Sequence, residues 1–188
     1  MKKRLLLSVW ILLFAFTAQP VMSSELTGTR HIKLMSGAGE EISIGSITFK
    51  KRGDGDGYTY DFSLDDAKFA EHFLSMRPFK CLEGEVQYLC HLPYPYEKTH
   101  SISARNFADL EHEFLFIHKK LTDYGIDMWN GVYFVISQTP SGLTGRLHEL
   151  DMDILASPPE AGVMYPLLEA EKMQGEPSSH WLPYLKIE

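Results

Sequence analysis

Four residues in the middle of this chain, Cys81, Cys90, His91 and His100, are the first set that can do chemistry. They read Cys, eight residues, Cys-His, eight residues, His. Two thiolates and two imidazoles can hold zinc. Structural zinc sites, however, space their paired ligands about two to four residues apart. Adjacent residues such as Cys90 and His91 point to opposite faces of a strand. A Cys81–Cys90 disulfide is the better reading, and no metal is assigned.

Other polar groups invite a site and fall short of one. Glu111-His112-Glu113 has the look of a metal motif but lacks a histidine partner four positions away. His112 and His118 lie six apart, on different faces of a helix. Solvated side chains are the expectation for both. Asp54-Gly55-Asp56-Gly57 resembles the start of a calcium loop, yet Thr59 and Asp65 stand where that loop needs glycine and glutamate. A tight hairpin turn accounts for it. Glu149, Asp151 and Asp153 share one strand face at period two, about 7 Å apart along the strand. They can meet a basic ligand or partner, and they enter here as binding candidates.

Nucleophilic catalysis finds no motif. There is no G-x-S-x-G, no S-x-x-K, no phosphate-cradling glycine loop, and no free thiol once the disulfide forms. No cofactor motif is present either. The remaining candidates are rings. Pro93-Tyr94-Pro95-Tyr96 is fixed near φ −65° at two positions. Tyr94 and Tyr96, with Trp129, offer area and hydrogen bonding together. Held by a nearby staple, they are expected to form a contact surface at low ordering cost.

The elements that must hold these residues follow from pattern. Pairing Cys81 with Cys90 sets Leu82 against Leu89, Glu83 against Tyr88 and Gly84 against Gln87, a short stapled hairpin. Residues 41–49 and 58–64 form a second hairpin about the Gly53–Gly57 loop, with a bulge at Gly45. Val132 to Ile136 is a dense strand after the Asn130-Gly131 turn, and residues 147–154 alternate strictly. Asp65-Asp66 opens a short helix carrying Phe69, Phe73 and Met76. Residues 104–121 read as a helix on the stripe Phe107, Leu110, Phe114, Ile117 and Leu121. Phe116 misfits that stripe, which keeps a strand over 113–118 in play. A short helix within 161–174 and a closing strand over 180–187, at a sheet edge because of Pro183, complete the chain.

Few strands alternate with helices, so a parallel sheet is disfavoured. The fold class expected is α+β: a single domain, mainly an antiparallel sheet able to curl toward a barrel, with one or two packed helices.

The first residues give the compartment. Met1-Lys2-Lys3-Arg4 precedes an apolar run from Leu5 to Ala18, then Val21-Met22-Ser23. This is the layout of a secretory signal peptide over residues 1–23, cleaved after Ser23 or Ser24, ahead of one exported domain over 24–188. Removing three basic and no acidic residues takes the net charge from −7 to −10. An acidic surface disfavours nucleic acid and anionic membrane as partners. No later stretch reaches membrane-spanning length. The expectation is a periplasmic or secreted, non-catalytic binding or accessory protein, its partner an envelope protein or a small ligand. A hydrolase with a site assembled from distant residues, or an envelope-assembly partner, are the alternatives.

Overall fold

The computed structural model describes residues 25–165, 167 and 172–188. The signal-peptide reading falls on residues 1–23 and lies outside these.

Among the described residues, twelve strands make one antiparallel sheet. They are β1 (Gly28–Met35), β2 (Glu41–Lys51), β3 (Tyr58–Leu64), β4 (Ala70–Phe73), β5 (Pro78–Glu83) and β6 (Gln87–His91), then β7 (Ser101–Ile102), β8 (Phe116–Lys120), β9 (Gly131–Thr139), β10 (Gly142–Leu150), β11 (Met173–Gln174) and β12 (Tyr184–Ile187). The order across the sheet is β4-β5-β6-β8-β9-β10-β12-β1-β2-β3-β7, with β11 added to β10. Among the described residues the two ends of this path do not pair, so the sheet is open rather than a closed barrel. Among the described residues no helix is long and apolar enough to cross a membrane.

The fold is mostly β, not α+β with packed helices. One four-residue helix, α1 (Ala108–Glu111), is present among the described residues. The expected long helix over 104–121 ends at the His112 cap, and β8 starts at Phe116. The strand alternative explains the Phe116 misfit. Phe116 and Ile117 are both fully buried, on opposite faces of β8. Pairing with β6 on one side and β9 on the other satisfies this backbone, and aromatic and β-branched side chains suit a strand covered on both faces.

Two further helix expectations give way. Asp65 caps a single 3-10 turn over Asp66–Lys68, and the chain then enters β4. Phe73 and Met76 are exposed, so no helical stripe forms there. Of the helix expected within 161–174, residues 166 and 168–171 lie outside the described set, and Met173–Gln174 is strand β11. The closing strand is present but internal. β12 lies between β10 and β1, and Pro183 precedes it with its carbonyl accepting from Leu147 N–H. A proline just outside the ladder costs no strand hydrogen bond.

Several sequence expectations hold. Cys81 and Cys90 are disulfide-bonded and directly opposed, with Leu82 on Leu89 and Glu83 on Tyr88. Register slips between Ile32 and Lys33, leaving a bulge beside Gly45. A Cβ on Gly45 would lie 2.2 Å from the Ser63 carbonyl oxygen, so glycine lets β3 close onto the bulge.

The sheet buries both faces. On one, Ile32, Leu34, Ile47, Phe49, Phe116, Phe134 and Leu185 form the larger core. On the other, Cys81, Cys90, Ile117 and Tyr133 are covered by Leu92, Tyr94, Leu115, Met152 and Leu155. Burying a large apolar side chain contributes about 1.5–3 kcal/mol. The disulfide belongs to the second core, and the loops after β6 and β10 supply its cover.

Candidate functional site

Four ionisable side chains cluster on α1 and the turn after it. Asp109, Glu111, His112 and Glu113 are all buried, none more than 6% exposed. A buried charge is tolerated when it is paired and hydrogen-bonded, so each must have a built partner set.

Asp109 collects five donors. Its carboxylate accepts from Thr99 N–H (3.1 Å), Ser101 N–H (2.8 Å) and Thr99 Oγ1 (3.1 Å). Tyr60 (3.3 Å) and Tyr165 donate their hydroxyls to it. Glu111 accepts from Tyr133 Oη and from Ile136 N–H (2.7 Å). Glu113 pairs with Lys98, itself mostly buried, and accepts from Tyr60 at 3.3 Å. Burial pushes the Tyr60 hydroxyl far above its ordinary pKa, and the Glu113 and Asp109 charges push the same way. Burial and the Asp109 hydrogen bond likewise raise Tyr165. Both tyrosines therefore stay protonated donors.

His100 completes the group. Its backbone lies in the left-handed region at φ 50°, a strained choice for a non-glycine residue. Its carbonyl accepts from Tyr60 N–H at 2.9 Å, which holds it on the β3 edge. Its ring stands edge-on to Tyr60, and Nδ1 is 3.5 Å from Glu113 Oε1. Beside it opens a groove of about 450 Å³ lined by Lys50, Thr59, Tyr60, Asp61, Phe62, Thr99 and His100. The groove wall thus has two rings, two threonine hydroxyls and an exposed imidazole, with the Asp109–Glu113 carboxylates behind it.

His112 is not the solvated residue that its sequence neighbourhood suggests. It is 1% exposed, and its ring packs against Tyr94, Tyr133 and Tyr165. Nδ1 donates to the Ala108 carbonyl at 2.6 Å. Burial pushes its pKa down to about 4. His118 is half-buried beside His180, and its pKa is also lowered, first by burial and then by the His180 charge.

The residues singled out from sequence do not come together. Tyr94 is buried, and its hydroxyl donates to the Met164 carbonyl at 2.9 Å. Tyr96 is half-buried and donates to the Leu155 carbonyl at 3.1 Å. The proline–tyrosine loop lies across the second core rather than standing in solvent, packed with Leu150, Met152, Leu155 and Leu167. Trp129 is 70% exposed, in a 3-10 turn before β9. The three acids do not share a strand face. β10 ends at Leu150, and Asp151 caps the following 3-10 turn through Asp153 N–H. Glu149 instead accepts from His180 Nε2 at 2.8 Å.

Sequence reasoning missed Tyr60, Lys98, Thr99 and Asp109 as a group. One signal was available: acids at 109, 111 and 113 interrupt an otherwise apolar run, and acids in such a run need buried partners. The partners' identity was not legible, since Tyr60 and Tyr165 are 49 and 56 residues from Asp109. No group of three or more histidine, cysteine or acidic residues arranged to hold a metal occurs among the described residues.

The chain matches no family model, no curated protein and no solved structure.

Proposed function

We propose that this is an exported, non-catalytic binding or accessory protein, acting in the periplasm or outside the cell after loss of a signal peptide. The disulfide and the signal-like first residues support the compartment. One observation carries the non-catalytic reading: each buried carboxylate near the groove is held by two or more donors from its own chain. A general acid or base must be free to exchange a proton with a substrate. These carboxylates are fasteners that hold the 98–101 loop and β9 to α1.

The groove beside them is the binding surface of this reading. Tyr60 and Phe62 supply ring area, while Thr59, Thr99 and His100 supply hydrogen bonds. Such a wall suits a neutral or cationic ligand bearing hydroxyl groups, consistent with the acidic chain. Titration with mono- and disaccharides, followed by NMR, tests it. Saturable shifts at Thr59, Thr99 and His100, weakened about tenfold in Thr99→Val, are expected. Absence of any saturable shift rejects this ligand class.

The hydrolase alternative has one observation in its favour, the strained His100 beside Glu113. Turnover of chromogenic ester or glycoside substrates, abolished in His100→Ala, would establish it in place of the binding reading.

A further inference from the structure

A second cavity lies at the start of β5, with His91 of β6 in its wall. It has a volume of about 190 Å³ and is lined by Arg77, Pro78, Phe79, Lys80, His91 and Pro93. In a chain of net charge −7, this wall holds two cations, an imidazole and no carboxylate.

We propose that this cavity binds the carboxylate of a small organic acid, with Arg77 and Lys80 on the charge and Phe79 and the two prolines on its apolar body.

The charges select a monoanion. Arg77 makes no ion pair with an acid among the described residues, and its guanidinium lies 5.4 Å from the Phe79 ring centroid. A guanidinium held over a ring face keeps its N–H fork available for a bidentate carboxylate. Lys80 is bonded to Asp66, so one of the two positive charges is already offset. The excess is one charge, which matches a carboxylate rather than a phosphate dianion. An ammonium carries three donors, so Lys80 keeps two for a ligand.

Size and polarity point the same way. A volume of 190 Å³ corresponds to about six water molecules at ~30 Å³ each. That admits a carboxylate on a body the size of a single ring and little more. Phe79 is buried and Pro78 and Pro93 are exposed, giving apolar side chains along part of the wall.

His91 supplies a reporter. Its Nε2 donates to the Glu113 carbonyl at 2.9 Å, so the neutral ring has its bare nitrogen at Nδ1. Burial holds its pKa down to about 4, and the Lys98 and Lys80 charges push it the same way. An anion in the cavity opposes those charges and raises the His91 titration midpoint, so binding and protonation are linked.

The experiment is an NMR and calorimetric titration of the mature protein with benzoate, with its neutral isostere benzamide, and with inorganic phosphate. Saturable benzoate binding at about 1 mM or tighter is expected. Benzamide and phosphate should each bind at least tenfold more weakly. Arg77→Gln, at an exposed position that leaves folding intact, should weaken benzoate at least tenfold, and Lys80→Gln several-fold. Saturating benzoate should raise the His91 midpoint in the wild type and not in Arg77→Gln. Equal binding of benzoate and benzamide, preference for phosphate, or unchanged affinity in Arg77→Gln overturns the proposal. Because the groove at His100 is a separate site, its saccharide titration succeeds or fails independently.

Discussion

Gln87 and Trp181, 94 residues apart, are joined by a hydrogen bond from the Trp181 backbone N–H to Gln87 Oε1 at 3.0 Å. This bond orients the whole Gln87 amide. With its oxygen taken, the amide nitrogen must donate to His118 Nδ1, 3.1 Å away. His118 therefore carries its proton on Nε2, and its ring stands edge-on to His180, which donates to Glu149. A chain of polar contacts thus runs from the stapled hairpin through β8 to β10. On the same side, the Trp181 indole donates to Glu40 at 2.9 Å.

Gly84 is where this arrangement tolerates no side chain. A Cβ there would lie 2.7 Å from the Trp181 ring and 2.8 Å from the Gln87 carbonyl oxygen. Gly84→Ala should cost about 1–3 kcal/mol by overpacking. Urea unfolding followed by tryptophan fluorescence gives the number. An unchanged midpoint would show that Trp181 swings aside freely.

The Asp109 cluster should be a main support of the 98–101 loop. Asp109→Ala removes the acceptor of the Thr99 and Ser101 N–H groups and of the Tyr165 hydroxyl, while Tyr60 keeps Glu113. The expected loss is about 2–3 kcal/mol, since a part-buried donor left without its acceptor costs about 1 kcal/mol. Amide exchange at Thr99 and Ser101 should accelerate with it. Exchange rates equal to wild type would contradict the assignment.

Tyr94 is a packing residue, so its ring should matter more than its hydroxyl. Tyr94→Ala should lose about 3–5 kcal/mol, as other core aromatics do, and Tyr94→Phe about 1 kcal/mol for the bond to Met164. Thermal melts of the two variants separate the contributions. Comparable, small losses in both would return the loop to the surface role expected from its sequence.

Acid should destabilise the protein through two buried histidines. His91 and His112 are each held at about 4, against an ordinary 6.5. Between those values the unfolded chain binds more protons than the folded one. Stability is therefore complete above about pH 6.5 and falls as the pH drops toward 4. Each group contributes on the order of 2–3 kcal/mol over that window. Denaturant midpoints from pH 7 to pH 4 measure the slope. A flat profile in wild type, or the same slope in His112→Gln, would refute it.

The sequence alone determined the local units. Opposed cysteines nine positions apart in a strand pattern specified a hairpin register, and that register is the one observed. The bulge at Gly45 and the paired strands about the glycine-rich loop follow from equally short-range rules of turn chemistry and alternation. What tertiary structure decided depends on contacts far apart in the chain. Residues 113–118 fit a helix stripe almost as well as a strand. Pairing to β6 and β9 makes a strand of Phe116–Lys120 and leaves residues 113–115 outside it; a strand buried on both faces loses the alternation that would announce it. Other long-range contacts moved Tyr94 from surface to core and drew Asp109 and Glu113 onto Tyr60. A short polar motif does not state its own burial. Whether Glu111-His112-Glu113 meets water or rings depends on which distant segment folds over it, and here Tyr94 and Tyr165 do so.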